Sequence, residues 1–293
     1  MSADTYDNFL GLAPADSNYS RARVVVLPIP YEATVSYGRG TARGPAAIIK
    51  ASQQVELYDE ELSRESFEIG VATLDPVDVS GTAPSEIYDR IAPPIRKILQ
   101  DKKVPFSLGG EHSITPAIFA EVHRFHPDTT VLQLDAHADL RQEYEGEPMS
   151  HACAMARVRE LSPAVQVGIR NISRAEAQWV ERDRLPVFFA HQMRNDPEWM
   201  KRALTAIKTD KVYVTIDVDA FDSSLMPMTG TPEPGGMGWY EVTDFLRLVF
   251  GHKEVIGLDI VELAPREGMH AQDFLAAKLA YKCIGFLGEG RKA

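Results

Sequence analysis

The chain has only two cysteines, Cys153 and Cys283, in 293 residues, too few for a disulfide framework. It has no apolar run near the ~18 residues that span a bilayer, so no membrane partner is expected. Cationic side chains are the minority: 31 Lys and Arg against 42 Asp and Glu leave a net charge of −11. Without a basic face, a nucleic-acid partner is disfavoured. The acidic balance suits a small cationic substrate, although most acidic surfaces are simply solvated. The start, M-S-A-D-T-Y-D-N, is polar and acidic where a signal peptide would be basic and then apolar. These absences together point to a cytoplasmic protein. No repeat, low-complexity tract or linker interrupts the sequence, so residues 1–293 are expected to form one domain.

Short β-rich runs recur at 23–28, 69–74, 104–108, 130–135, 165–169, 186–190, 212–217 and 255–259. Most are continuously apolar rather than alternating, the pattern of strands covered on both faces. Helical stretches are expected between them, at 42–54, 85–99, 116–125, 175–184, 197–207, 239–250 and 271–286. The second carries Ile87, Ile91, Ile95 and Ile98 at helical spacing, and Pro93 and Pro94 are expected to disturb its middle. Alternating β and α elements predict an open, mostly parallel α/β sheet. Such sheets bind ligands beyond the carboxyl ends of their strands.

Those ends carry the chemistry. Leu134–Leu140 reads L-D-A-H-A-D-L. Asp135, His137 and Asp139 sit on alternate positions, and side chains two apart along an extended chain point to one side, so the three are expected to converge on one spot. Asp217 and Asp219 repeat the device after the run 212–216, and His112 follows the run 104–108 in G-G-E-H-S. Four carboxylates crowded without cations would repel one another, and some would have to protonate. Two histidines with four carboxylates exceed the needs of one tetrahedral ion and suit two ions with bridging carboxylates. The oxygen-rich donor set favours manganese over a thiolate-type zinc site. Two such ions ~3.5–4 Å apart can acidify a shared water. The bland alternative is two separate hydrogen-bonding clusters, which would leave the carboxylates uncompensated.

The motifs G-G-E-H-S, D-A-H-A-D, S-H-A, D-V-D-A-F-D and D-I-V-E-L-A-P, in this order and spacing, resemble the ureohydrolase family of arginases and agmatinases, closest to its bacterial and archaeal agmatinase-like members. The resemblance covers about 24–287. It implies a three-layer α/β/α fold with an eight-stranded sheet. It also implies a dimanganese centre, two Mn²⁺ per subunit, that hydrolyses a guanidinium to urea and an amine, and a trimeric or hexameric homo-oligomer. Carried over by motif, one ion takes His112, Asp135, Asp139 and Asp217, and the other takes His137, Asp135, Asp217 and Asp219. His151, in Ser150-His151-Ala152, matches the family's proton-shuttling histidine, the acid needed to protonate the departing amine. Glu262, in D-I-V-E-L-A-P, matches the carboxylate that holds the guanidinium with paired N–H bonds. Asp259 and Glu111 are expected to support the site, and Asp222 to close a local turn.

Residues 229–236, T-G-T-P-E-P-G-G, resemble the family loop that edges the pocket, with Met228 where the commoner P-G-T-G-T-P form has glycine. Residues 38–45, G-R-G-T-A-R-G-P, lack G-x-G-x-x-G and the Walker lysine, so they are not a phosphate loop. They resemble the family's structural loop before the first helix. Arginase-like chains carry asparagine two positions beyond the last ligand of D-A-H-x-D, where this chain has Arg141, and both acids of their G-L-R-D-V-D segment are absent from residues 168–173. Glu143, Glu145 and Glu147 form an acidic loop instead. An acidic rim, with Glu143 and Glu145 as substrate-binding candidates, suits a guanidino substrate with a second cation and no carboxylate, such as agmatine, cleaved to urea and putrescine. N1-aminopropylagmatine fits the same logic. Guanidinobutyrase, arginase and formimidoylglutamase remain within the class. A zinc deacetylase would need one metal, not six ligands. A dinuclear phosphoesterase would use cations such as Arg141 or Arg170, and a non-enzymatic relative would have lost ligands.

Overall fold

Runs of Val, Ile and Leu become strands because β-branched side chains fit a pleated surface packed on both sides. The computed structural model describes residues 7–291. Part of the start read above as leaderless, 1–6, and the last two residues of the 1–293 domain lie outside the described residues. In chain order the strands are β1 (Val24–Ile29), β2 (Tyr58–Asp59), β3 (Arg64–Glu65), β4 (Val71–Thr73), β5 (Val104–Gly109), β6 (Thr129–Leu134), β7 (Ala164–Ile169), β8 (Val187–Phe189), β9 (Lys211–Asp217) and β10 (Glu254–Val261). The α-helices are α1 (Gly44–Ser52), α2 (Ile87–Gln100), α3 (Ile114–Phe125), α4 (Ala154–Arg159), α5 (Arg174–Asp183), α6 (Ala190–Met193), α7 (Trp199–Ala206), α8 (Trp239–His252) and α9 (Ala271–Glu289).

β2 and β3 pair with each other as a small antiparallel hairpin. The other eight strands form one sheet in the order β4-β1-β5-β10-β9-β6-β7-β8, and every pairing in it is parallel. Burial explains the continuous apolar runs. Val24 and Val26 of β1 join one core with Ile48 of α1, Phe245 of α8 and Ile284 of α9. Val25, Leu27 and Ile29 join the opposite core with Ile91 of α2, Ile118 of α3 and Val158 of α4. Successive residues of one strand thus feed two helix layers, which makes the architecture α/β/α.

The prolines of α2 do not break it. The helix runs unbroken from Ile87 to Gln100, since Ile87, Ile91, Ile95 and Ile98 are all buried and Pro93 faces outward. Burial of that stripe, at about 1.5–3 kcal/mol per side chain, offsets the lost backbone hydrogen bonds. Helices α4 and α6 were not expected; six and four residues are too few for a periodic signal.

One charge is sealed into the helical side. The Lys282 ammonium of α9 lies 2.9 Å from both Asp59 and Glu61, with Lys282 and Asp59 almost fully buried. Burial alone would lower the Lys282 pKa, but the bonds to Asp59 and Glu61 outweigh it and raise it. Removing one partner of a buried pair leaves an uncompensated charge. Lys282→Met is expected to lose about 3 kcal/mol of unfolding free energy in urea titrations. Asp59→Asn added to it should recover much of that loss; equal instability of the single and double variants would refute the pair's role.

Because the strands are parallel, their carboxyl ends share one edge. The four central strands, β5, β10, β9 and β6, deliver residues 110–112, Glu262, 217–219 and 135–139 to that edge. The chain leaves β5 for β6 across β10 and β9, so the crevice that such a jump opens lies where these residues gather.

Candidate metal centre and catalytic pocket

His112 fixes the geometry of the centre. Its Nε2 lies 2.9 Å from Thr215 Oγ1, and the Thr215 hydroxyl donates to Asp259 Oδ1 at 2.6 Å. Thr215 has spent its only hydrogen, so it accepts from His112 Nε2–H. Asp259 is itself held by donors from Tyr213 and Thr115, and all of these residues are buried. The His112 Nδ1 lone pair therefore points inward. It faces Asp139 Oδ2 at 3.0 Å, Asp135 Oδ2 at 3.1 Å and Asp217 Oδ2 at 3.7 Å, and among the described residues nothing donates a hydrogen bond to it. A bare lone pair among three carboxylates is repulsive until a proton or a metal ion sits between them, and this is a donor arrangement that a divalent ion fits.

The second group shares a residue with the first. His137 Nδ1 lies 2.8 Å from Asp219 Oδ2 and 3.7 Å from Asp135 Oδ1. Among the described residues two metal-competent sets result, His112 with Asp135 and Asp139, and Asp135 with His137 and Asp219. Asp135 spans them, one oxygen toward each histidine. Backbone amides hold the carboxylates: His137 N–H donates to Asp135, Ala136 N–H to Asp219 and Asp219 N–H to Asp217.

The convergence of Asp135, His137 and Asp139 is not the work of an extended strand. β6 ends at Leu134, and the segment beyond it is irregular, with Asp139 at φ +51°. Glu262 is likewise left-handed, at φ +68°. Non-glycine residues held there carry strain of order ~1 kcal/mol or more, a cost that gathers at functional sites.

The electrostatics show the same crowding. Burial pushes Asp217 well above the usual carboxylate range, and Asp219, Asp135 and Glu262 push it further. Glu262 is raised well above its ordinary value by burial and then by Glu111. Burial works against charge on His112, yet Asp135 and Asp139 raise its pKa well above normal. His137 is opposed by burial in the same way, but Asp219 and Asp135 lift it to about 12.

One pocket covers this edge. Its lining includes His112, His137, Asp139, Asp217, Asp219, His151 and Glu262; buried Asp135 lies behind them. Glu262 Oε1 accepts His112 N–H at 2.6 Å, and among the described residues no hydrogen bond reaches Oε2. The structure thus gathers the expected ligands, His151 and Glu262 at one site. It does not bring Glu143 or Glu145 there. Both are exposed and absent from the lining; Glu143 borders a neighbouring groove with Trp179 and Asp183. The acidic loop turns outward because Tyr144 and Glu147 close on each other, leaving Tyr144 as the loop's contribution to the pocket.

Other lining residues were not singled out from sequence: Val35, Ser36, Asn171 and Glu176. Glu176 had a legible signal. Ser173-x-x-Glu176 is a capping box, and Glu176 accepts from Ser173 N–H and Leu140 N–H, tying the ligand loop to α5. Arg170 is committed to carbonyls of residues 168, 219, 221, 233 and 234, so it staples the pocket-edge loop. Arg141 lies at the rim, 5.2 Å over the Tyr144 ring. Asp222 caps a turn through Gly235, Gly236 and Ser224 amides. Met228 is buried and its backbone is not left-handed, so no glycine is needed there.

Comparison with known proteins follows the same lines. A family model described as "Arginase family" matches residues 22–285. An N(1)-aminopropylagmatine ureohydrolase of Synechocystis sp. is 43% identical over 289 residues, 95% of this chain and 93% of that protein. An agmatinase of Halalkalibacterium halodurans is 34% identical over 254 residues, 85% of this chain and 86% of that one. Among solved structures, the agmatine ureohydrolase of Thermoplasma volcanium aligns with a TM-score of 0.86 at 27% identity, over 97% of this chain and 95% of that one.

Proposed function

The chain belongs to the arginase family, and from that premise we propose that it is a dimanganese ureohydrolase cleaving the guanidinium of agmatine to urea and putrescine. One observation carries the reading: two metal-competent groups sharing Asp135 open into the same pocket as Glu262 and His151. When bound, a pair of divalent cations would supply Lewis acidity that lowers the pKa of a coordinated water to about 7. Asp135, Asp139, Asp217 and Asp219 with His112 and His137 would hold them, and this oxygen-rich set suits manganese. Glu262 Oε2 accepts N–H bonds from the guanidinium and orients its carbon. His151 delivers the proton with which the amine departs. The reading extends to a single domain and a homo-oligomer, trimer or hexamer. It extends also to the cytoplasm, with which two free, buried cysteines are consistent.

N1-aminopropylagmatine is the second reading. The relative at 43% identity bears that activity in its name, and the groove bordered by Glu143, Trp179 and Asp183 shares Arg141 and Glu176 with the metal-side pocket, offering room for a longer tail. Urea release from agmatine, N1-aminopropylagmatine, 4-guanidinobutyrate and arginine decides among them. We expect kcat/KM for one of the two amines to exceed that for arginine by about 10²-fold or more, an amount equal to ~2.7 kcal/mol. Equal or better use of arginine would overturn the substrate assignment. With Glu143 and Glu145 turned outward, Glu145→Gln should leave agmatine kinetics within about 2-fold.

A further inference from the structure

We propose that Thr34 and Glu111 are positioning residues for His151: they commit Nδ1 of its ring to carry a hydrogen and leave Nε2 as the atom that exchanges protons with the reacting groups. The inference rests on the reading of His151 as the proton carrier.

The assignment follows from counting donors and acceptors. Glu111 is fully buried, and its carboxylate can only accept. Ala33 N–H and Thr34 N–H donate to Oε2, both at 2.7 Å. The Thr34 hydroxyl donates to Oε1 at 2.8 Å and the Ser113 hydroxyl at 2.5 Å. Thr34 has one hydroxyl hydrogen, and a bond to a carboxylate is the stronger use of it. Only its two lone pairs remain. One accepts the His151 backbone N–H at 3.0 Å. The other faces His151 Nδ1 at 3.1 Å, so Nδ1 must be the donor. Ser150 Oγ, 3.3 Å from the same nitrogen, is the longer contact and can share that hydrogen. The Tyr144 ring meets the imidazole edge-on, at 5.9 Å and 80°, and restricts its tilt.

Three separate parts of the chain therefore hold one ring: the loop after β1, the turn after β5 and the turn before α4. Glu111 to Thr34 to His151 spans 77 and 117 residues of sequence. A proton carrier works only in the right tautomer, because the nitrogen that meets the substrate is decided by the bond at the other nitrogen. The Thr34 methyl contributes nothing to this, so the hydroxyl is the functional part.

The test is a cycle on the Mn-loaded enzyme, using whichever guanidino amine the wild type cleaves. Thr34→Val should keep both ions and a KM within about 3-fold, while kcat falls about 10- to 100-fold. Thr34→Ser, which restores the hydroxyl, should return kcat to within about 3-fold of wild type. In the His151→Asn background, Thr34→Val should cost nothing further, because the two act as one unit. Thr34→Ala, measured beside these, serves if valine does not fit. Near-wild-type kcat in Thr34→Val or Thr34→Ala, a failure of serine to rescue, loss of metal, or multiplying losses in the double variant would each overturn the proposal. Wild-type turnover in His151→Asn would instead overturn the reading on which it rests.

Discussion

Asp135→Asn should abolish binding of both ions and lower kcat/KM by about 10³-fold or more. Its two carboxylate oxygens face His112 Nδ1 and His137 Nδ1 at 3.1 and 3.7 Å, and it is the one residue common to both metal-competent groups. Asparagine keeps the shape and removes the charge, so a loss reflects ligation rather than packing. The Lewis acidity at stake is worth several kcal/mol, and each ~1.36 kcal/mol is a decade in rate. Asp217→Asn should follow the same direction, since Asp217 Oδ2 lies 3.7 Å from His112 Nδ1 and the carboxylates crowd it. His112→Ala should mainly weaken one ion. Metal analysis of protein grown with manganese checks all three. Wild type holding at most one ion per chain, or Asp135→Asn holding two, would defeat the dinuclear assignment.

The contrast between Asp135 and Glu145 shows what a sequence can convey about this site. Ligands sit at the ends of β5, β6 and β9, and those strands are legible because burial on both faces leaves a largely apolar run such as Val212–Ile216, broken only by Thr215. Parallel order then forces their carboxyl ends to one edge, so local runs predict a long-range cluster. The route differed in detail: Asp135, His137 and Asp139 converge through an irregular segment with a left-handed Asp139, which spacing alone does not reveal. The substrate rim was harder. Glu143 and Glu145 looked suitable by charge, but a turn of a few residues decides which side a loop presents, and here it presents Tyr144. Thr34 was silent because its meaning lies in a partner 117 residues away. The Pro93-Pro94 pair misled for a physical reason too: α2 is held by the burial of its isoleucine stripe more than by its backbone bonds.

His151→Asn should lower kcat by about 10²- to 10⁴-fold, the range that general acid–base catalysis supplies, with both ions retained. His151 lines the pocket but belongs to neither metal-competent group, and its side-chain contacts are with Thr34, Ser150 and Tyr144. Removing its ring should therefore leave the ligand geometry alone. KM should change little, because a proton delivered to the departing amine is an interaction of the transition state and not of the bound substrate. Without a proton the nitrogen would have to leave as an amide anion rather than a neutral amine, so the missing acid slows the step in which the C–N bond breaks. Free imidazole in the assay should restore part of the lost rate to His151→Asn and none to Asp135→Asn, which separates proton delivery from metal loss. Turnover within a few-fold of wild type in metal-replete His151→Asn would assign the proton to another group in the pocket.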